Sequence, residues 1–322
     1  MAASMGMTAY GARRKKLIKP RALRSGDLVG LITPASNPAT AESYPPIEEN
    51  MKALGLRWRY GASVRKFDTY LAGPVAARIE DVHAMFRDPE VKAVLTIRGG
   101  YGSPQLLDGL DYGLIRKNPK IFLGYSDITA MHLGIHQRTG LVTMHGPALT
   151  KRWPEYSEEH LRRALFETKP LGMLKNPDGY PVRTIRGGRV TAPLIAGNLS
   201  LIANLMGTPY ELDCRGKILC IEDVGEDWYR IDRMLTQLRL AGKLNEAAGM
   251  VWGQCQDCVA RTRPAHPEPA AVDEILKTVR TPVLAGLLIG HTDLQVTLPQ
   301  GVRATLDADA GTLTVEESAI TG

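Results

Sequence analysis

Short apolar runs alternate with amphipathic stretches along roughly the first half of the chain. Continuous apolar runs are typical of strands buried in a parallel sheet, and apolar residues spaced three or four apart are typical of helices. The runs that predict strands are 28–33, 56–60, 91–97, 121–123 and 141–147. Helical spacing occurs over Ile47 to Leu54, Ile79 to Phe86, 105–115 and Ile128 to Ile135. This alternation predicts an α/β fold with a doubly wound parallel sheet, which binds ligands at the carboxyl ends of its strands.

The pattern changes beyond residue 150. A helix is predicted over 157–167, and residues 168–189 are rich in Gly, Pro, Lys and Arg without a sustained period, which favours a connection between domains. Strands then outnumber helices, and they are predicted at 217–221, 249–253, 283–289, 295–298, 302–306 and 312–316. We therefore predict four parts: a flexible N-terminal extension (1–25), an α/β domain (26–150), a linker (151–190) and a mixed, β-rich domain (191–322).

Composition is that of an ordinary globular enzyme. The 322 residues are enough for two hydrophobic cores, with 44% hydrophobic and 23% charged residues. The formal charge of +6 is scattered apart from one basic run at 13–16, which is typical of a solvated tail and predicts no nucleic-acid partner. No stretch approaches the ~20 apolar residues of a membrane span, and no apolar region of an export signal follows Arg13 and Arg14. We expect a cytoplasmic protein with no membrane partner.

The four cysteines lack the spacing of a disulfide framework. Cys255 and Cys258 have the spacing of half a zinc site or of a redox pair. Their possible companions are Cys214 and Cys220, and Cys220 lies inside an apolar run, so an incidental pair is favoured. The glycine-rich stretch 98–102 has no P-loop lysine. The sequence therefore predicts neither a metal nor a cofactor.

Ser126 lies between the apolar run 121–123 and a helical pattern that starts at Ile128. A serine on a sharp strand-to-helix turn is the mechanical basis of a nucleophile elbow, where the helix N-terminus offers unpaired N–H groups. The usual elbow has a glycine at the position that Ile128 occupies here. By spacing alone, Ser126 as a plain helix N-cap is the simpler interpretation.

A general base for Ser126 should be a histidine, because its unperturbed pKa lies near neutral pH. His145 and His291 both follow apolar runs, whereas the other histidines fall in predicted helices or a Pro-rich loop, namely His83, His132, His136, His160 and His266. Glu222 directly follows the run 217–221. Ser126, Glu222 and His291 thus stand in an order that a hydrolase triad can take. The alternative is that Glu222 and its neighbour Asp223 solvate a loop.

Seven short blocks occur in order between residues 98 and 291, within a likeness that runs from about Gly26 to the C-terminus. They are RGGYG (98–102), GYSDIT (124–129), TMHGP (143–147), GNLSL (197–201), IEDVGE (221–226), YRIDRML (229–235) and IGH (289–291). Together they resemble the LD-carboxypeptidases, also called murein tetrapeptide carboxypeptidases. The family's own elbow reads GYSD, so the missing glycine after the serine is part of the resemblance.

The resemblance implies both a fold and an activity. It implies a flavodoxin-like N-terminal domain, a swivelling β-rich C-terminal domain, an active site in the groove between them, and a homodimer. It also implies a triad in which Ser126 is the nucleophile, His291 its base and Glu222 the residue that holds the imidazole. The implied substrate is a muropeptide, whose bond between an L-centre (lysine or diaminopimelate) and a terminal D-alanine is cut during peptidoglycan recycling.

The backbone N–H groups of Gly100 and Asp127 are the predicted oxyanion donors, because a glycine pair at Gly99 and Gly100 lets the backbone approach the substrate. An ordinary turn at the two glycines is the alternative. Tyr101 belongs to the same loop and is a predicted substrate-binding residue.

Three arginines are candidates for binding the free carboxylate of the substrate, since guanidinium groups suit carboxylates. Arg98 belongs to the glycine-rich loop, whereas Arg230 and Arg233 lie on a predicted helix. For the two helical arginines we favour surface ion pairs with nearby acids such as Glu226 or Asp232.

Two alternative functions remain. Microcin-immunity peptidases use the same triad to cut a peptidyl-nucleotide antibiotic, and Trp228 is placed to stack on a base. The YRIDR block favours the murein enzyme. The other alternative is a muropeptide-binding module that does not catalyse a reaction. The intact serine, glutamate and histidine argue against it.

Overall fold

The computed structural model describes residues 16–38, 40–66, 69–259 and 269–322. Their strands, in chain order, are β1 (Leu28–Ile32), β2 (Arg57–Tyr60), β3 (Val91–Thr96), β4 (Ile121–Gly124), β5 (Met144–His145), β6 (Gly172–Leu174), β7 (Arg183–Arg186), β8 (Arg189–Asn198), β9 (Ile218–Val224), β10 (Gly249–Gln256), β11 (Val283–Ala285), β12 (Leu298–Pro299), β13 (Arg303–Asp307) and β14 (Thr312–Val315).

The helices lie between and around these strands. They are α1 (Tyr44–Ala53), α2 (Val75–Arg87), α3 (Tyr112–Lys117), α4 (Thr129–Thr139), α5 (Glu155–Phe166), α6 (Leu199–Asn204), α7 (Trp228–Leu240), α8 (Lys243–Glu246) and α9 (Pro269–Lys277). Short 3-10 helices span Ala41–Ser43, Ser103–Gly109 and Ser126–Ile128. Within the described ranges, no helix combines the length and the apolar character needed to cross a membrane.

The first sheet has the order β12-β5-β4-β3-β1-β2. Strands β1 to β5 are parallel, as the alternating pattern predicts, and helices such as α2 and α4 connect them. The edge strand β12 is antiparallel to β5 and comes from far along the chain, where a strand over 295–298 was expected in the second domain. Leu298 is fully buried there, and the pairing of β12 with β5 covers the edge of the parallel strands.

The second sheet is mixed, with the order β6-β14-β13-β8-β9-β10-β11-β7. Its centre, β8 to β11, is parallel, and antiparallel strands flank it on both sides. The predicted fold class, a parallel α/β sheet followed by a mixed β-rich sheet, is therefore confirmed. Strands β6 and β7 lie in the stretch 168–189, where no strand was predicted. The side chains of β7 are largely exposed, so its sequence has no apolar signal. Backbone pairing with β11 holds the strand, together with polar contacts such as that of Arg183 with Asp273.

One hydrophobic cluster joins the two sheets. It contains Leu31 and Leu123 from the first sheet together with Leu194 and Val251 from the second, all with no exposed surface. The opposite face of the first sheet packs against α2, α3 and α4, and the opposite face of the second packs against α6, α7 and α9. Because the central cluster is continuous, the ends of strands from both sheets are held in one arrangement.

The N-terminal extension is packed where the structure describes it. Residues 1–15, which include most of the basic run, lie outside the described ranges. Ile18 pairs with Leu141, the amide of Ala22 donates to the carbonyl of Thr321 at 2.7 Å, and Leu23 is buried. The expectation of flexibility is therefore wrong for residues 16–25, because their isolated apolar side chains find partners far along the chain.

Several boundaries differ from the pattern for local reasons. Strand β9 continues past its apolar run to Val224. Glu222 and Asp223 lie within the strand, where their backbones pair with the neighbouring strands and their side chains are buried. The helix expected over 105–115 is split at Leu110, which is extended, and Asp111 caps a new helix by accepting from the amide of Leu114 at 2.8 Å. Strands β5 and β11 are shorter than their apolar runs.

Helix α5 starts at Glu155, two residues before the predicted start at Ser157. The hydroxyl of Ser157 is used elsewhere: it donates to the carbonyl of Asp293 at 3.0 Å and accepts from the amide of Gln295 at 2.9 Å. This helix therefore ties the segment that follows residue 291 to the rest of the core.

Arg78 on α2 is fully buried and joins three loops at the carboxyl end of the first sheet. Its guanidinium donates to the carbonyls of Pro34 (2.8 Å), Gly73 (3.0 Å) and Gly102 (3.0 Å), and to Oε1 of Gln105 (2.7 Å). A planar group with five donors suits such convergent carbonyls.

Replacing Arg78 with Met should lower the free energy of unfolding by ~3 kcal/mol, because several buried carbonyls lose their donors. Urea denaturation followed by circular dichroism measures this loss. Arg87→Met, on the exposed end of the same helix, is the matched control and should leave the midpoint nearly unchanged. Equal midpoints for the two variants would contradict the role of Arg78.

Candidate active site

Ser126 stands on a tight turn at the end of β4. Tyr125 before it is extended, whereas Ser126 has φ +61° and opens the short helix Ser126–Ile128 that leads into α4. A left-handed backbone at a non-glycine residue costs ~1–3 kcal/mol and persists mainly where the surroundings enforce it, often at active sites. The turn thus has the geometry of a nucleophile elbow.

His291 and Glu222 complete a hydrogen-bonded chain with this serine. Nδ1 of His291 lies 2.7 Å from Oε2 of Glu222, and Nε2 lies 2.9 Å from Oγ of Ser126. An ionised carboxylate can only accept, so Nδ1 carries the proton and Nε2 accepts from the serine hydroxyl. Ser126 comes from the first sheet, and the other two residues come from the second. The structure therefore brings together the three residues that the sequence selected, in the arrangement that serine hydrolases use.

Glu222 has no exposed surface. Burial by itself raises the pKa of its carboxyl, but the charge and hydrogen bond of His291, with smaller contributions from His145 and Asn198, outweigh burial and leave the pKa below its usual value. The carboxylate therefore stays ionised near neutral pH and holds the imidazole by both charge and hydrogen bond.

Asp223, the next residue of β9, is buried as well. It accepts from Nδ2 of Asn198 at 2.9 Å and from the amide and hydroxyl of Ser200 at 3.0 and 2.8 Å. Burial raises the pKa of Asp223 to about 6, although these hydrogen bonds oppose the rise. The interpretation that Glu222 and Asp223 solvate a loop is therefore wrong.

The residue before His291 is Gly290, and two steric constraints require a glycine there. Its φ is +106°, and a Cβ built on it would lie 2.3 Å from Oε2 of Glu222. Only glycine permits both this backbone conformation and this close approach of the carboxylate.

The glycine-rich loop packs directly on the elbow. A Cβ at Gly99 would lie 2.8 Å from Cβ of Ser126 and 3.1 Å from the amide nitrogen of Asp127. Gly100 has φ +106° and contacts Ser36, whose Oγ accepts from the amide of Tyr101 at 3.2 Å. The loop backbone thus lies directly against the turn that carries Ser126.

Tyr101 itself projects from this loop, with 68% of its surface exposed. Its ring meets the equally exposed Tyr70 edge to face at 6.1 Å. Tyr101 therefore presents an aromatic surface to solvent rather than a group that touches Ser126.

Asp127 is a buried link between the loop and the elbow. Its carboxylate accepts from the amide of Ser103 at 2.7 Å, and its carbonyl accepts from the hydroxyl of the same serine. Burial raises the pKa of Asp127, while hydrogen bonds from Ser103 and Gly102 and the charge of Arg78 oppose the rise.

The candidate arginines make other contacts. Arg230 pairs with Glu226 at 3.6 Å, as favoured above, and the guanidinium of Arg233 lies 5.3 Å from the ring centre of Tyr229. Nη1 of Arg98 is 3.5 Å from the carbonyl of Asn37.

The residue-by-residue analysis missed two neighbours of the triad. The ring of Tyr125 lies 4.6 Å from that of His291, and burial raises its pKa to about 12. Asn198, at the end of β8, pairs in register with Glu222. Both residues stand inside blocks that carry the family resemblance, which was the signal available.

Cys255 and Cys258 form a disulfide with their Cα atoms 5.5 Å apart. The expectation of an incidental pair is therefore wrong. The pair lies at the end of β10, where Cys255 is the register partner of Asp223 on β9. In the part of the chain that the structure describes, no group of three or more His, Cys, Asp or Glu side chains is arranged to hold a metal ion.

Both halves of the chain match models of known protein families. Residues 29–146 match the LD-carboxypeptidase N-terminal domain, and residues 191–306 match the LD-carboxypeptidase C-terminal domain. A probable murein peptide carboxypeptidase of Bacillus subtilis is 40% identical, over 92% of this chain and 94% of its own length. The murein tetrapeptide carboxypeptidase of Pseudomonas aeruginosa is 33% identical, over 87% and 93%. The chain belongs to the LD-carboxypeptidase family.

A solved structure extends the comparison. The microcin C7 self-immunity protein MccF, in complex with aspartyl sulfamoyl adenosine, has 26% sequence identity and a TM-score of 0.84. The match covers 94% of this chain and all of that one. The two-sheet fold of this chain is therefore also that of a microcin self-immunity protein.

Gly290→Ala should slow labelling of the protein by a fluorophosphonate serine probe by at least ~10-fold, because the added Cβ displaces Glu222 and misaligns His291. Gly179→Ala is the matched control, since Gly179 also has a positive φ (+90°) but open space around its Cα. It should share the backbone strain and label at the wild-type rate. Normal labelling of Gly290→Ala would show that the close packing at this position is unnecessary.

Proposed function

We propose that this protein is a serine LD-carboxypeptidase that releases the terminal D-alanine of murein tetrapeptides. The observation that carries the proposal is the unbroken hydrogen-bonded chain from Ser126 through His291 to Glu222. Membership of the LD-carboxypeptidase family and the murein names of two relatives support the substrate.

In the proposed reaction, Oγ of Ser126 attacks the carbonyl carbon between the L-centre and D-alanine while Nε2 of His291 takes the hydroxyl proton. The imidazolium is stabilised by the ionised Glu222. His291 then gives the proton to the departing amine, so D-alanine leaves and an acyl-enzyme remains. Water, deprotonated by the same imidazole, hydrolyses the ester and restores Ser126.

The amides of Gly100 and Asp127 are the proposed oxyanion donors. The close contact of Gly99 with both Ser126 and the amide of Asp127 supports this assignment, since it brings the loop backbone beside the nucleophile. Removing one donor from such a site typically costs ~10²–10³ in rate. Tyr101 and its partner Tyr70 are proposed to contact the part of the substrate that extends from the groove.

The biological setting follows from the substrate. We propose that the enzyme acts in the cytoplasm, in peptidoglycan recycling, as the family resemblance and the absence of an export-signal pattern in the sequence lead us to expect. A homodimer is proposed on the basis of the family resemblance, and sedimentation of the purified protein measures it.

Wild-type protein incubated with a diaminopimelate- or lysine-containing tetrapeptide should release one alanine, detected by mass spectrometry. Ser126→Ala should lower kcat/KM by roughly 10⁴-fold or more, because the nucleophile is lost while binding remains. A tetrapeptide that ends in L-alanine is the matched substrate control and should stay intact.

Release of alanine at equal rates by the wild type and Ser126→Ala would rule out this serine as nucleophile. Cleavage of the L-alanine peptide would contradict the LD assignment. If Ser126→Ala binds the tetrapeptide and the wild type neither cleaves it nor reacts with the serine probe, the protein is a muropeptide-binding module.

A second candidate is cleavage of a peptidyl-nucleotide amide, favoured by the likeness to the MccF complex with aspartyl sulfamoyl adenosine. Trp228, at the start of α7 and beside Glu226 and Asp227, is the residue proposed to stack on the base. Faster cleavage of an aminoacyl sulfamoyl adenosine than of the tetrapeptide, with loss of that preference in Trp228→Ala, would favour this function.

A further inference from the structure

His145 is a buried histidine beside the triad that the proposed reaction does not use. Its side chain has no exposed surface, and neither ring nitrogen has a hydrogen-bond partner among the described residues. Burial lowers its pKa to about 4, so the imidazole is neutral near pH 7 and holds one N–H donor and one acceptor. Buried polar groups in folded proteins normally have partners, directly or through ordered water.

The neighbouring aromatic groups do not supply that partner. His132 lies 6.3 Å from His145 between ring centres, but its nitrogens are occupied by the hydroxyl of Thr143 and the carbonyl of Gly124, each at 2.8 Å. The ring of Tyr125 meets His145 edge to face at 6.3 Å. Both nitrogens of His291 are already used within the triad.

Glu222 holds the matching unfilled acceptor. Oε2 accepts from His291, whereas Oε1 is buried and has no hydrogen bond within the described ranges. Nδ2 of Asn198 donates one N–H to Asp223 at 2.9 Å, and its side chain also contributes to the lowered pKa of Glu222. Asn198 nevertheless makes no hydrogen bond to Oε1 in the described structure, and a carboxylate oxygen can accept more than one, so Oε1 remains open to a closer donor. The ring of Tyr125 lies 6.3 Å from that of His145 and 4.6 Å from that of His291, whose Nδ1 is 2.7 Å from Oε2 of Glu222. His145 therefore lies beside the Glu222 end of the triad.

We propose that His145 is a positioning residue for the triad: its ring N–H donates to Oε1 of Glu222, directly or through one buried water. The proposal rests on the proposed function, because Glu222 matters only if it orients the catalytic imidazole. It satisfies two buried groups at once and explains why a histidine ends β5 at this position.

The physical effect is twofold. A donor on Oε1 fixes the rotation of the carboxylate, so that Oε2 stays aligned with Nδ1 of His291. It also spreads the negative charge, which limits how strongly Glu222 holds the proton on the imidazole. Removing the donor should therefore misalign the base and raise the pH at which His291 loses its proton. The titratable groups that face His145 are Glu222, His291, Tyr125 and His132.

The test compares donor-free and donor-bearing replacements of His145. His145→Phe fills the space without a donor, whereas His145→Asn and His145→Gln place an amide N–H near the former Nδ1 or Nε2. The phenylalanine variant should react with a fluorophosphonate probe ~10-fold or more slowly, with the acid limb of the pH profile moved upward by ~0.5 unit. At least one amide variant should recover most of the rate, and KM for the tetrapeptide should stay unchanged while kcat falls.

His160→Phe is the matched control, because His160 is also buried with an unpartnered Nδ1 but lies on α5 against Tyr156. It should leave the labelling rate and pH profile as in the wild type. Wild-type rate and pH profile in His145→Phe would overturn the proposal, and so would a loss that neither amide variant restores.

If His145→Phe does not fold, nuclear magnetic resonance of protein labelled with ¹⁵N-histidine tests the proposal instead. In the wild type, the ring nitrogens of His145 should report a hydrogen-bonded neutral imidazole, and Glu222→Gln should shift them. Unchanged His145 signals in Glu222→Gln would overturn the proposal. Because labelling and resonance need no peptide, failure to release D-alanine would count against the proposed substrate and leave the role of His145 to be decided by these measurements.

Discussion

An ionised carboxylate without exposed surface, on Glu222, is the constraint on which the site depends. Such a group is stable in the interior only when donors and positive charge surround it. His291 supplies the principal hydrogen bond at 2.7 Å, and Gly290 leaves out the Cβ that would occupy the space of the carboxylate. The register between β8 and β9 places Glu222 beside Asn198 at the end of β8. The position of the carboxylate therefore depends on the strand pairing of the second sheet.

Ser126, the proposed nucleophile, belongs to the other sheet. Ser126 reaches His291 because one hydrophobic cluster spans both sheets and because β12 returns from the second half of the chain to pair with β5. The contact of Gly99 with Ser126 then leaves little freedom at the elbow. Alignment of the three side chains is therefore a property of the packing between sheets, and a shift of either sheet changes the distance from Nε2 to Oγ.

The parallel core was predictable because buried parallel strands are continuous apolar runs bounded by turns. The runs that became β1, β3 and β4 needed no other information. An edge strand without an apolar pattern was not predictable, as in β7, where the exposed arginine and threonine side chains bond to residues far along the chain. The placement of residues 16–25 and the bond between Cys255 and Cys258 were missed for a related reason, since each depends on contacts that local pattern does not contain.

The sequence by itself determined the α/β class, the choice of Ser126, Glu222 and His291 as candidate site residues, and the resemblance to the family. Those features depend on local periodicity and on short blocks. Only the tertiary structure decided that Glu222 lies inside a strand with its carboxylate buried, that Tyr125 and His145 stand beside the triad, and that the three polar groups meet within hydrogen-bond distance. The reason is that burial and alignment arise from the packing of distant segments, and a linear pattern carries no distances between them.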